Sequence, residues 1–149
     1  AADAGAAMTD QRMTPDAREA FLAGLHVGVL AIERADGPPL AVPVWYSYEP
    51  GGDVEVLTSA ASIKGRLAAS AGRGSLCAQQ EELPYKYVSV EGPVEIDRID
   101  ADDRAPIEAM AIRYLGDEMG RGYAAQAAGD DEIRIRLRPE RWYSVDYGA

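Results

Sequence analysis

The chain has 149 residues, 47% of them hydrophobic and 27% charged, with a formal net charge of −10 at pH 7. That length holds one domain with a real core, and the composition excludes a fibrous repeat or a wholly disordered chain. The acidic balance repels nucleic acid and anionic membrane, so neither is expected as a partner and an anionic ligand needs a local basic pocket.

No window approaches the roughly 18 consecutive apolar residues of a membrane helix. Ala1 to Ala7 lack the basic and then apolar layout of a signal peptide, and Met8 reads as an initiator. Residues 1–13 are expected to be a tail, disordered or appended, ahead of a single domain over residues 14–149. Cys77 is alone and excludes an internal disulfide, and His26 is alone and excludes an ordinary zinc site. No metal is expected, and the cytoplasm is the natural compartment. All basic residues except Lys64 and Lys86 are arginine, and alanine is abundant. Both residues have GC-rich codons, which points to a GC-rich source of actinobacterial type.

Thr14-Pro15-Asp16 opens a helix to about Gly24: a capping hydroxyl, proline in the first turn, and an acid at the positive helix end. His26 to Arg34 is an apolar strand that ends at the turn Ala35-Asp36-Gly37. Leu40 to Glu49 returns, and its Pro43 lacks a ladder donor, which places it at a sheet edge, a bulge or a ligand site. Pro50-Gly51-Gly52-Asp53 turns into a strand over Val54 to Ser59. Ser62 heads a short helix to Ala71, closed by Gly72. Ser75 to Gln80 is a strand, and Tyr85 to Arg98 a long one bent at Gly92-Pro93. Ala101 to Leu115 has helical spacing in Ile107, Met110, Ala111 and Tyr114 and reads as a packing helix. Gly116 to Asp131, rich in glycine and alanine, reads as a lid or a partly ordered loop. Ile133 to Tyr147 is the last strand, with Ile133, Ile135 and Leu137 alternating against arginines. Six strands with helices around them predict a mainly β, six-stranded antiparallel barrel, whose closure removes exposed edges.

The chemistry concentrates in Leu57 to Arg66. A strand end offers the hydroxyls of Thr58 and Ser59, and a helix start offers unpaired amides, the Ser62 hydroxyl, the Lys64 ammonium and the Arg66 guanidinium. That set forms a phosphate cradle. Its plain alternative is that Ser62 merely caps the helix while the two cations lie in solvent. His26 and Cys77 read as core residues. No Ser, His, Asp set is present.

The register Thr58, Ser62, Lys64-Gly65 resembles the phosphate-binding segment of the pyridoxamine 5′-phosphate oxidase-like, flavin-reductase-like split-barrel superfamily. Val88-Ser89-Val90-Glu91-Gly92 is similar to that family's Val-Glu-Gly strand, and Val42-Pro43-Val44-Trp45-Tyr46 to the strand lining its cofactor ring. The resemblance implies a split barrel in which Thr58, Ser59, Ser62, Ile63, Lys64 and Arg66 hold a phosphorylated cofactor, with Val44 and Trp45 along the ring. It implies a homodimer in which Tyr85, Tyr87 and Trp142 approach the cofactor of the second chain. Ile63 stands where vitamin B6 oxidases often carry arginine, and Pro139-Glu140-Arg141-Trp142-Tyr143 is closer to the short ending of actinobacterial deazaflavin-dependent relatives. These departures favour the deazaflavin coenzyme F-420 over FMN, with Arg73 and Lys86 as further cations for its longer tail. The implied activity is hydride transfer to a conjugated small-molecule acceptor. An FMN-dependent oxidase or reductase and a non-enzymatic cofactor binder remain alternatives.

Overall fold

The computed structural model describes residues 10–127 and 129–149. The expected tail lies outside this range through position 9, while Gln11 and Met13 are tied to the C-terminal strand by Asp146 N–H to Gln11 O and Met13 N–H to Ser144 Oγ. Seven strands and four helices follow: α1 Pro15–Ala23, β1 Gly28–Ile32, β2 Leu40–Val44, β3 Val54–Ser59, α2 Ile63–Ala71, β4 Arg73–Gln80, β5 Lys86–Arg98, α3 Ala105–Leu115, α4 Asp117–Ala127, β6 Glu132–Leu137 and β7 Arg141–Asp146. The mainly β, antiparallel split barrel is the architecture the sequence predicts.

The strands run β2-β1-β4-β5-β6-β3, with β7 also paired to β5. The long β5 is the spine. Its first half lies between β4 and β7, and after Gly92-Pro93 its second half pairs with β6. The reason sits at Gly92: a Cβ there would collide with the carbonyl of Arg138, where the β6–β7 connection crosses the spine. Arg138 N–H and Glu140 N–H donate to Pro93 O and Glu91 O on either side of the crossing. The predicted final strand is therefore broken between β6 and β7 at Pro139, which has no N–H to keep a ladder going.

Two-residue alternation sets the core. Val54, Val56 and Thr58 of β3 and Ile133, Ile135 and Leu137 of β6 point inward, with Leu30, Ile32, Tyr46, Leu76, Val88 and Val90 completing the barrel interior. Leu22 of α1 closes one end, its carbonyl accepting the Tyr46 hydroxyl at 2.6 Å. Outside, the two halves differ. The β3–β6–β5 face is laced with ions: Arg136 alone reaches Asp53, Glu95 and Asp97. The β1–β4–β7 face carries Val29, Cys77 and Tyr143 instead.

The glycine-rich stretch after Gly116 is not a loop. Asp117 to Ala127 forms α4, folded back on α3 through Gly116 at φ +85°. Gly120 makes the contact possible, because a Cβ would lie 2.6 Å from Ile112 Cα. A residue that reads as a helix breaker acts here as a packing device.

Candidate functional site

The barrel is split between β2 and β3. Their strands meet in one isolated bridge, where Ser47 N–H and Glu55 N–H donate to each other's carbonyls at 3.0 and 2.9 Å. The ladder stops there, because the backbone of Tyr46 is taken by side chains of α3. Tyr46 N–H donates to the Tyr114 hydroxyl at 3.0 Å, and Tyr46 O accepts from Arg113 Nε at 3.1 Å. Arg113 also reaches the carbonyls of Ala23 and Gly24, and the Tyr114 hydroxyl donates to His26 O at 2.6 Å. Two side chains thus satisfy the polar backbone that a closed barrel would have paired.

A cavity of about 400 Å³ occupies the seam, within the range of roughly 300 to 1,000 Å³ usual for small-molecule sites. Val44 and Trp45 form one wall and Val56 and Leu57 the facing one. Ile107, Met110 and Ala111 of α3 cover it, Tyr123 of α4 stands at its mouth, and Lys64 and Glu132 are its charged groups. Trp45 is fixed in place, stacked on Tyr114 at 5.1 Å with rings 5° from parallel and tilted against Tyr123 at 5.4 Å. Val27 and Pro43 form the rim towards the apolar outer face. Pro43 lies on the terminal strand of the sheet path and on the cavity rim, two of the places its missing donor allows.

The Leu57 to Arg66 segment reaches the cavity through Leu57 and Lys64. Ser62 caps α2: its Oγ accepts the Gly65 amide at 3.0 Å and donates to Ser59 O at 2.7 Å, while Thr58 Oγ1 lies 3.0 Å away. Its proton is committed, so the capping reading holds for Ser62, and the buried Thr58 hydroxyl is left as the donor to Ser62 Oγ. Ser59 Oγ donates to Asp131 Oδ2 at 2.7 Å and is likewise engaged. Gly65 permits the tight turn, since a Cβ would sit 2.6 Å from Ser59 O. Ile63 is 55% exposed and its side chain carries no polar atom, so its usable group is its amide. Among the described residues Lys64 makes no hydrogen bond or ion pair.

Other predicted residues lie elsewhere. Arg66 is exposed and next to the cradle. Arg73 is bound to Glu33 at 2.8 Å, and Lys86 lies 3.8 Å from Asp146. Tyr87 lines a second hollow with Tyr85 and Tyr147, outside the seam cavity. Trp142 packs on its own chain, under the Arg18 guanidinium at 4.5 Å and edge-on to Tyr48 at 6.2 Å. His26 is half-buried and lies outside the core, held by Phe21 O at 2.9 Å and stacked on the Phe21 ring at 4.4 Å. Burial pushes the Cys77 thiol up.

Sequence reasoning missed Glu132, Arg113 and Tyr123. Glu132 is opposite Ser59 in the β3–β6 register. Its Oε2 is shut off from solvent without a hydrogen-bond partner. Burial, and then the Asp131 carboxylate, raise its pKa, opposed by Arg104 and Lys64. The one available signal was an acid in the otherwise alternating apolar-and-arginine pattern of β6.

No family model and no curated protein matches the sequence. Solved structures do match the fold. A conserved hypothetical protein from Mycobacterium tuberculosis superposes with TM-score 0.72 at 22% identity, over 93% of this chain and 88% of that one. An F420 reductase gives 0.69 at 24%, over 84% and 94%. A putative pyridoxamine 5′-phosphate oxidase from Listeria innocua gives 0.65 at 13%, over 87% and 96%. Heme-binding proteins share the architecture as well. These likenesses establish the split-barrel fold that the sequence resemblance implies.

Proposed function

We propose that the seam cavity binds a phosphorylated flavin-type cofactor, the deazaflavin coenzyme F-420 in preference to FMN, and that the protein is an oxidoreductase acting on a conjugated organic acceptor. The observation that carries this reading is Lys64: among the described residues an ammonium without a hydrogen bond or ion pair, set in an apolar, aromatic-walled cavity of a chain with net charge −10. A cation left unpaired beside a cavity in a strongly acidic protein is suited to an anion. A phosphate suits the amides of Ile63 and Lys64 at the start of α2 and the Lys64 side chain, with the Thr58 and Ser62 hydroxyls holding the turn beneath them.

When bound, the cofactor supplies hydride chemistry from its ring. The chain's own groups bind and orient. Lys64 holds the anionic end, Trp45, clamped by Tyr114, gives the ring a flat wall, and Ile107 and Met110 keep water from the covered side. Preference for the deazaflavin is supported by Ile63, whose side chain turns outward where an oxidase arginine would add a phosphate contact, and by exposed Arg66 for a longer anionic tail. An F420 reductase among proteins of this fold supports the same assignment. Heme is less well served, because the single histidine does not line the cavity.

The second part of the proposal is a homodimer formed through the outer face of β1, β4 and β7, which brings the Tyr85–Tyr87 hollow of one chain towards the cavity of the other. Fluorescence titration with F-420 and FMN tests the cofactor. Tighter F-420 binding, with oxidation of the reduced form only when an enone or quinone acceptor is added, is expected. Tighter or copurifying FMN overturns the deazaflavin assignment. Binding without turnover over a panel of acceptors turns the protein into a cofactor carrier.

A further inference from the structure

Glu132 is an awkward neighbour for a phosphate cradle. It stands on β6 opposite Ser59, the residue that leads from the Thr58 end of β3 into the turn before α2, and it lines the same cavity as Lys64. An ionised carboxyl beside an incoming phosphate costs affinity by like-charge repulsion, and the Oε2 atom has no donor to offset that cost. The groups facing it are few. Lys64 from α2 and Arg104 from the residue before α3 favour its charge, and neighbouring Asp131 opposes it. Arg104 is already engaged, donating to Ala124 O at 2.6 Å, and Asp131 is held by Ser59. Lys64 is the support that changes when a ligand arrives.

A phosphate that takes Lys64 removes the cation favouring the Glu132 carboxylate and places a negative group nearby. Both changes act in one direction. We infer that Glu132 belongs to the anion site and becomes protonated as the ligand enters, so that binding of the phosphate is coupled to uptake of one proton from solvent. The proton goes onto a Glu132 oxygen, and no bond in the ligand changes. This inference rests on the seam cavity being an anion site and refines that reading.

Linkage fixes the sign. A group whose pKa is higher in the complex than in the free protein makes binding tighter at low pH, and affinity falls by at most about tenfold per pH unit between the two pKa values. Two titrations test it. Calorimetry with F-420 and FMN at pH 7, in two buffers of different ionisation enthalpy, should give buffer-dependent heats in the wild type that shrink in Glu132→Gln to the part set by the second ionisation of the FMN phosphate monoester, about pH 6. The wild-type measurement stands even if the variant folds poorly. Sulfate, which does not titrate in this range, gives the second arm. At equal ionic strength against chloride, it should raise the melting temperature more at pH 6 than at pH 8, and Glu132→Gln should lose that difference. Buffer-independent heats in the wild type, or a pH effect kept in Glu132→Gln, overturn the inference. If neither cofactor binds but sulfate shows the Glu132-dependent pattern, the cofactor assignment falls and the proton-coupled anion site stands. If sulfate shows no such pattern and the cofactors do bind with buffer-independent heats, the assignment stands and the coupling falls.

Discussion

The hydroxyl of Tyr114 takes the place of a β-ladder partner for Tyr46, accepting its amide at 3.0 Å and lying 2.9 Å from its carbonyl. The seam and the cavity within it depend on that substitution of a side chain for a strand. Tyr114→Phe leaves the Tyr46 amide without an acceptor, and an unsatisfied buried group costs about 1 to 3 kcal/mol. The stack on Trp45 survives, because the ring is unchanged. The expected outcome is a lower melting temperature with a nearly native tryptophan emission spectrum. An unchanged melting temperature would show that the hydroxyl does not hold the seam.

Lys64 and Ser62 separate binding from folding. Among the described residues Lys64 makes no hydrogen bond or ion pair and only offsets the Glu132 charge, so Lys64→Ala should change the melting temperature little and weaken cofactor binding by about 1.5 to 3 kcal/mol, the range for a hydrogen bond to a charged group. Ser62 caps α2 through the Gly65 amide, so Ser62→Ala should instead lower stability by about 0.5 to 2 kcal/mol. Its effect on affinity comes through a loosened turn. Melting curves and titrations of the two variants side by side check the assignment, and the reverse pattern would exchange the two roles.

How much of this was legible follows from which residues signal through neighbours in sequence. Thr14-Pro15 and Ser62 announce helices by capping, and Val54, Val56 and Thr58 announce a strand by alternation, so α1, α2 and β3 were readable. The Gly92-Pro93 bend was readable too, because proline and glycine act locally. The break at Pro139 was carried by one residue inside a long β pattern and was overridden by the alternation around it. The fourth helix was hidden because Gly120 and Gly122 lower helix propensity, while the contact with Ile112 that favours Gly120 is tertiary. For the site, the Thr58 to Arg66 segment is contiguous, so its strand end, turn and helix cap were readable. Its covering groups are not. Arg113 and Tyr114 act on carbonyls 67 to 90 positions away, and no local pattern records such contacts.

His26 gives a pH dependence. Burial lowers its pKa, with the Arg113 charge acting the same way against the raising effect of the Phe21 carbonyl. A histidine depressed in the folded state contributes stability that is present above its unfolded value, about 6.5, and is lost as pH falls through its folded value. Urea midpoints should therefore decline from pH 7 towards pH 5, and the decline should be shallower in His26→Gln. Identical profiles for the two proteins would place the acid sensitivity elsewhere.

The outer face of β1, β4 and β7 is where a second chain is expected. In the register across it Val29 lies beside Pro43 and Cys77, Cys77 beside Ser89, and Ser89 beside Tyr143. That row carries no charge, whereas the β3–β6–β5 face is covered by the Arg136 and Arg134 ion pairs. Val27, Val29 and Tyr143 are 54%, 41% and 47% exposed, a concentration of apolar surface that marks an interaction site on a small protein. The cavity meets this face at Val27 and Pro43, so a partner seated there also roofs the cavity. Closed two-fold dimers are the commonest soluble homo-oligomers, and a two-fold axis makes the same contact twice. Light scattering at micromolar concentration should show a dimer, and Val29→Asp, which sets two like charges into the contact, should give a folded monomer with weakened cofactor binding. Sharing of the site is checked by mixing Lys64→Ala chains with Tyr87→Ala chains. If each cavity takes Lys64 from one chain and Tyr87 from the other, a mixed dimer keeps one site with both wild-type residues, and about half of its two sites regain native affinity. A wild-type monomer at these concentrations rejects the dimer, and verified mixed dimers with no recovered site reject the sharing.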